Sequence, residues 1–159
     1  MEKELHIHYH VFENHDALDA ETRRLYEAAA KARLKAYAPY SKFLVGCALL
    51  LDNGEIITGS NQENAAYPSG LCAERTTIFW SSANYPDAQI KKMFVIGGPE
   101  NGEQSVATPP CGACRQSVLE YENRQTEPIE LYFAAVKGKI FRTGSVRDLL
   151  PFSFDSSFL

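Results

Sequence analysis

Residues 5–12 alternate strictly, with Leu5, Ile7, Tyr9 and Val11 on one side and His6, His8 and His10 on the other. A period of two predicts a strand with one buried face. Asp16 is placed to cap a helix running to about Tyr37, along which Leu18, Arg23 to Leu25, Ala29, Ala32 and Ala36 recur at helical spacing and leave a smooth, small-residue face. Ala38-Pro39-Tyr40-Ser41 ends it, because the residue before a proline disfavours helix. Phe43–Leu51 is a continuous apolar run and predicts a buried strand. Asp52-Asn53-Gly54 then makes a hairpin turn into a returning strand, Glu55–Asn61. After the break at Tyr67-Pro68-Ser69-Gly70, a helix is expected from about Cys72 to Ala83, then a strand over Lys92–Gly97. Thr108-Pro109-Pro110 leads into a helix from about Cys111 to Glu122. Strands follow at Ile129–Val136 and Lys139–Arg142, with Gly138 in the turn between them. Ser145 caps a last short helix, Val146–Leu150, which Pro151 stops.

Setting aside the opening strand, this order is α-β-β-α-β-α-β-β-α. It predicts a three-layer α/β/α sandwich with a mixed five-stranded sheet, to which the N-terminal strand is extra. The 159 residues suit a single domain, residues 1–159, with a strand extension over 1–15 and a tail over 151–159. No repeat or low-complexity segment interrupts it. Apolar residues make up 45% and charged residues 23%, as in an ordinary folded domain rather than a disordered chain. A net charge of −4 argues against broad, phosphate-driven nucleic-acid binding. The longest near-apolar run, Phe43–Leu51, is far short of the about 20 residues a membrane helix needs. Met1-Glu2-Lys3-Glu4 has neither the basic start nor the apolar stretch of a signal peptide, so a cytoplasmic location and reduced thiols are expected.

The chemistry is concentrated in the cysteines. Of Cys47, Cys72, Cys111 and Cys114, the last three open two predicted helices, in Cys72-Ala73-Glu74 and Pro110-Cys111-Gly112-Ala113-Cys114. Two helix starts can bring three thiolates to one point. Three protein ligands with an open fourth position is the catalytic zinc arrangement, whereas structural zinc usually has four. Cys47 lies inside a predicted buried strand and suits a core residue. Three thiolates overneutralise Zn²⁺, so an offsetting charge is needed. The helix N-termini supply about half a positive charge each, and Arg75 is the further candidate for charge tuning, unless it is simply a solvated helix residue. Glu74, two residues after the first ligand, can lean over a metal without ligating it and can move protons between water and a substrate nitrogen. Alone it would be an ordinary first-turn Glu that favours the helix dipole. Beside three such cysteines the catalytic role is the better reading.

Cys-x-Glu followed by Pro-Cys-x-x-Cys at helix starts is the zinc deaminase pattern. With it the chain resembles the small, homotetrameric zinc-dependent cytidine deaminases of pyrimidine nucleoside salvage. The resemblance runs from about Leu25 to Phe154. It includes Tyr37-Ala38-Pro39-Tyr40-Ser41-Lys42-Phe43, Asn61-Gln62-Glu63-Asn64-Ala65, Cys72-Ala73-Glu74-Arg75-Thr76, Pro110-Cys111-Gly112-Ala113-Cys114-Arg115-Gln116 and Leu149-Leu150-Pro151. It implies the cytidine deaminase-like fold and one Zn²⁺ per chain on Cys72, Cys111 and Cys114. The implied reaction is hydrolytic deamination of cytidine and 2′-deoxycytidine by zinc-activated hydroxide at C4, with Glu74 as the proton shuttle. It implies that Asn61 and Glu63 grip the ribose 3′-hydroxyl, that Phe43 lies against the pyrimidine, and that the Ala73 N–H donates to the base carbonyl. It also implies a homotetramer in which Phe154 reaches a neighbour's site, with a small nucleoside as partner and neither nucleic acid nor membrane.

The chain departs from the family at its opening His6-x-His8-x-His10 strand, which is either a solvated face or a metal site, and at Cys47, where a small residue is usual. Residues 99–108 form a loop that can rim the site, and the Phe-rich tail carries Phe152, Phe154 and Phe158. Two alternatives stand beside this reading. One is a related aminohydrolase of another cytosine nucleoside, of the blasticidin S type, which Asn61-x-Glu63 disfavours. The other is a non-enzymatic zinc domain, which would need Cys47 or an N-terminal histidine as fourth ligand.

Overall fold

A computed structural model describes residues 1–102 and 105–159. Six strands, β1 (Tyr9–Phe12), β2 (Phe43–Leu51), β3 (Ile56–Ser60), β4 (Ile90–Pro99), β5 (Glu130–Ala135) and β6 (Ile140–Thr143), form one sheet in the order β1-β6-β5-β4-β2-β3. Only β4 and β5 run parallel. Three helices cover it: α1 (Ala20–Arg33), α2 (Ala73–Asn84) and α3 (Gly112–Asn123). Alternation along the central strands sends Ala48, Leu50, Phe94, Ile96, Tyr132 and Ala134 to the α1 face, and Cys47, Leu49, Met93, Val95 and Leu131 to the face of α2 and α3. The expected three-layer mixed sandwich is therefore present.

The hairpin between β2 and β3 turns at Gly54, whose φ of 87° is open to glycine at no steric cost. Gly46 has a different reason. A Cβ there would lie 2.1 Å from the Ala29 oxygen and 2.4 Å from the Arg33 nitrogen, so α1 rests directly on the β2 backbone. The small-residue face of α1 fits this contact. Ser145 does cap the last turn, in a capping box with Asp148, but that turn is a 3-10 helix over Val146–Leu149.

Three boundaries differ from the sequence expectations. Asp16 lies in a separate 3-10 turn. The cap of α1 is Asp19, whose carboxylate accepts from the Thr22 N–H at 2.8 Å. The helix stops at Arg33 rather than Tyr37, because Tyr37 is drawn into strand-like pairing: its N–H donates to the Asn61 carbonyl and its carbonyl accepts from the Glu63 N–H. The opening strand pairs over residues 9–12 only, on the edge of the sheet beside β6. Its apolar side is not buried: Leu5, Ile7, Tyr9 and Val11 are all exposed, because no helix extends over that edge. Within the loop at 99–108, β4 takes in Pro99, and positions 103 and 104 lie outside the described residues. No helix among the described residues is long and apolar enough to cross a membrane.

Candidate active site

Cys72 is the N-cap of α2 and Cys111 the N-cap of α3, and neither thiol is used to cap its helix. Both sulfurs are free to face the space between the two helix starts. Cys114, two residues into α3 beyond Gly112, faces the same point from inside the core. The three sulfurs lie within 4.8 Å of one another. Cys72 and Cys111 are 3.9 Å apart, and Cys111 and Cys114 3.5 Å. Sulfurs held tetrahedrally at about 2.3 Å from zinc would be about 3.8 Å apart, close to both of these separations. The cluster is the one such group among the described residues. Cys47 is fully buried in the core beneath α2, where burial raises its pKa, and the N-terminal histidines are not part of the cluster. Among the described residues the cluster thus offers three ligands and no fourth.

Electrostatics favour sulfur as an anion here. Hydrogen bonding from the Cys114 thiol, then from Arg75, lowers Cys72 to about 5. Cys114 is raised in consequence, since the proton it shares with Cys72 is held on its own sulfur. The Arg75 Nη2 donates to the Cys72 sulfur at 3.7 Å, and this thiolate in turn raises the arginine. The buried Arg75 Nε has no hydrogen-bond partner among the described residues.

Glu74 is 4% exposed, lies against the Cys114 thiol, and is raised to about 7, first of all by burial. A carboxyl so placed takes up and releases protons near neutrality. Ala73 is fully buried at the first position of α2, where its N–H has no partner from within the helix.

Beside Cys72 opens a cavity of about 430 Å³ whose walls include Tyr40, Asn61, Glu63, Tyr67 and Arg75. Asn61 and Glu63 therefore do stand at the site. They are also tied to the chain that precedes β2. The Asn61 amide donates to the Phe43 carbonyl at 2.9 Å and accepts from the Val45 N–H at 2.8 Å. Glu63 accepts from the Tyr40 and Ser41 N–H groups at 2.9 and 3.2 Å. The Ser41 hydroxyl foremost, with these two amides, lowers its pKa and keeps it ionised. Each side chain retains an unused lone pair for a ligand hydroxyl.

Phe43 is half-buried at the start of β2 and does not line this cavity. Phe154 is not in it either. That side chain is 58% exposed on the tail, stacked on Phe158 at 5.4 Å, and its carbonyl accepts from Gln116 of α3 at 2.9 Å.

Two supporting residues could not be singled out from the sequence. Arg115 donates to the carbonyls of Pro110 and Leu149, tying the cysteine loop to the segment that leads into the tail. Tyr67, 5.9 Å from Tyr40, overhangs the cavity mouth. Nothing in local spacing distinguishes either from a surface residue; Arg115 alone carries a signal, its place in Pro110-Cys111-Gly112-Ala113-Cys114-Arg115-Gln116.

Residues 19–127 match the family described as "Cytidine and deoxycytidylate deaminase zinc-binding region". A cytidine deaminase of Sporosarcina psychrophila is 39% identical over 134 residues, 84% of this chain and 91% of its own. One from Halalkalibacterium halodurans is 38% identical over 130 residues, 82% of this chain and 91% of its own. Among solved structures, a cytidine deaminase from Burkholderia pseudomallei superposes with a TM-score of 0.71 at 39% identity, covering 82% of this chain and 97% of that one. That from Mycobacterium tuberculosis gives 0.67 at 30% identity, covering 86% and 99%. Matched across the cysteine-bearing helices by relatives that it covers nearly end to end, the chain belongs to the cytidine deaminase family.

Proposed function

We propose that this protein catalyses the hydrolytic deamination of cytidine and 2′-deoxycytidine to uridine and 2′-deoxyuridine, releasing ammonia. The observation that carries the reading is a buried carboxyl, Glu74, set against three sulfurs that together fit zinc and leave a fourth position open. Cys72, Cys111 and Cys114 would hold the ion. Bound there, it would supply a Lewis acid that acidifies water near neutral pH.

The remaining chemistry falls to this chain's own groups. Glu74 takes a proton from the attacking water and delivers one to N3 of the base. It then takes the proton of the hydroxyl now on C4 and hands it to the departing amine, so that the C4–N bond breaks as the C4 carbonyl forms. The Ala73 N–H holds the base carbonyl and Phe43 lies against the ring. The ionised Glu63 accepts from the ribose 3′-hydroxyl, and the Asn61 amide N–H donates to it. Arg75 and the starts of α2 and α3 offset the negative charge of three thiolates.

A homotetramer belongs to this reading. Phe152, Phe154 and Phe158 are exposed on a single chain, which suits a surface that a neighbour covers. Gln116 of α3 holds the Phe154 carbonyl, which supports a fixed course for that residue in the tail. Four free cysteines suit the reducing cytoplasm.

Ultraviolet-monitored turnover of cytidine, deoxycytidine, cytosine and cytidine monophosphate by the zinc-loaded protein tests the assignment. Turnover of the two nucleosides, with little or none of the free base and the monophosphate, is the expected pattern. No loss of nucleoside absorbance with one zinc bound per chain would refute it.

A further inference from the structure

Arg33 is the last residue of α1 and is only 7% exposed, yet among the described residues no carboxylate pairs with it. Among the described residues its Nε and Nη2 donate to backbone carbonyls. Nε donates to Leu44 at 3.1 Å, and Nη2 donates to Gly98 at 2.8 Å and to Pro99 at 2.7 Å. Leu44 is the register partner of Gly98, and Phe43 that of Pro99. One guanidinium therefore clasps both strands across the first two rungs of the β2–β4 ladder, where β2 emerges from the loop that borders the site.

The same short stretch is held from its other side. Asn61 bonds the Phe43 carbonyl and the Val45 N–H, and Glu63 bonds the two amides of the loop just before. Between these anchors the chain passes through Lys42 at a φ of 56°, a left-handed conformation that a non-glycine residue adopts only when its surroundings impose it. The close rest of α1 on Gly46 brings the guanidinium into reach.

Joining two strands does not call for a buried cation. The β2–β4 pairing already runs from Phe43 to Leu51, and an aliphatic side chain would fill the volume without the cost of desolvating a charge. What the rigid fork adds is direction: several donors fixed in one plane place carbonyls that a flexible ammonium or a methyl group would leave free to shift.

We infer that Arg33 is a positioning residue for the reaction, holding the Leu44 carbonyl and the facing end of β4 so that the adjoining Phe43 ring is presented to the nucleoside. The inference rests on the deaminase reading and on Phe43's place in it. Loosening the clasp weakens substrate and transition state alike, so it raises KM and leaves kcat largely unchanged.

The test is a double-mutant cycle on zinc-loaded protein, with Arg33→Lys, Phe43→Ala and the double variant, each assayed for zinc content, melting temperature, KM and kcat. Arg33→Lys is expected to raise the KM for cytidine about tenfold, one decade of affinity, with kcat within about twofold. In the Phe43→Ala background the same change should move KM less than about twofold, because no ring remains to be presented. The drop in melting temperature, by contrast, should be the same in both backgrounds. KM effects that multiply in the double variant, or an unchanged KM in folded, zinc-loaded Arg33→Lys, would overturn the proposal. If the lysine variant does not fold, Arg33→Gln enters the same cycle. Failure of both to fold would make Arg33 a structural residue and end the proposal. A wild type inert toward cytidine would instead sink the deaminase reading, before any Arg33 variant is made. Phe43→Ala with wild-type KM would take Phe43 out of the site, and this inference with it.

Discussion

Glu74→Gln removes one proton-transfer group while keeping volume and hydrogen-bonding shape. Glu74 is 4% exposed and packed against Cys114, so the amide occupies the same place without opening a cavity, and bulk water cannot enter to do the carboxyl's work. The three sulfurs are untouched. General acid–base catalysis contributes about 10²–10⁴-fold. Here one carboxyl serves the attacking water, N3 and the leaving amine in turn, which places the expected loss in kcat at about 10³–10⁴-fold, the upper part of that range. Zinc per chain, far-ultraviolet circular dichroism and the melting temperature should stay close to wild type, because an uncharged amide is no harder to bury than the carboxyl it replaces. KM should change little. The assay is the fall in cytidine absorbance, run beside metal analysis of the same preparation. A loss below about tenfold, with zinc retained, would show that Glu74 does not move the protons. Loss of zinc along with activity would show instead that it supports the metal.

The other predictions concern the ligands, the sugar, a helix cap and the tail. Cys72→Ala, Cys111→Ala and Cys114→Ala should each lower bound zinc by metal analysis, while Cys47→Ala should keep it, since that sulfur is buried apart from the cluster. Glu63→Ala should raise KM for cytidine and deoxycytidine and spare 2′,3′-dideoxycytidine; equal losses on all three would mean that Glu63 only pins Tyr40 and Ser41. Asp19→Ala removes the α1 cap and should cost about 1 kcal/mol at neutral pH. The Thr22 N–H depresses the Asp19 pKa below its ordinary 3.8, so the difference in denaturant midpoint should persist above that pH and vanish as pH falls through the folded value. Phe154→Ala should impair turnover, and mixing it with Glu74→Gln under conditions of proven subunit exchange should restore some activity. A strictly monomeric protein by light scattering would refute the shared site.

The zinc cluster and the helices that carry it were legible in the sequence because their causes are local. A cysteine at a helix start, with a glutamate two residues on, fixes its own geometry within a single turn. The apolar run Phe43–Leu51 and the Asn53-Gly54 turn likewise set β2 and its hairpin from adjacent residues. Other features depended on what lay across the fold. The alternation of residues 5–12 does encode extended chain, but only packing decides whether its apolar side is covered, and no helix reaches that edge of the sheet. Helix propensity continues past Arg33, yet Tyr37 is worth more paired beside Asn61 and Glu63, 24 and 26 residues further along the chain, than as another helical turn. Asn61 and Glu63 carry a sequence pattern suited to a sugar. That they also brace the loop before β2 appears only once the strand ends meet. Arg33 is the clearest case. In the sequence it is one basic residue near the end of a helix, and its three carbonyl partners lie 11, 65 and 66 residues away. Local propensity and motif spacing act over a few residues, and therefore specify ligands and elements. The position of a backbone against a substrate is a balance among distant donors and acceptors, and it exists only when the sheet has closed.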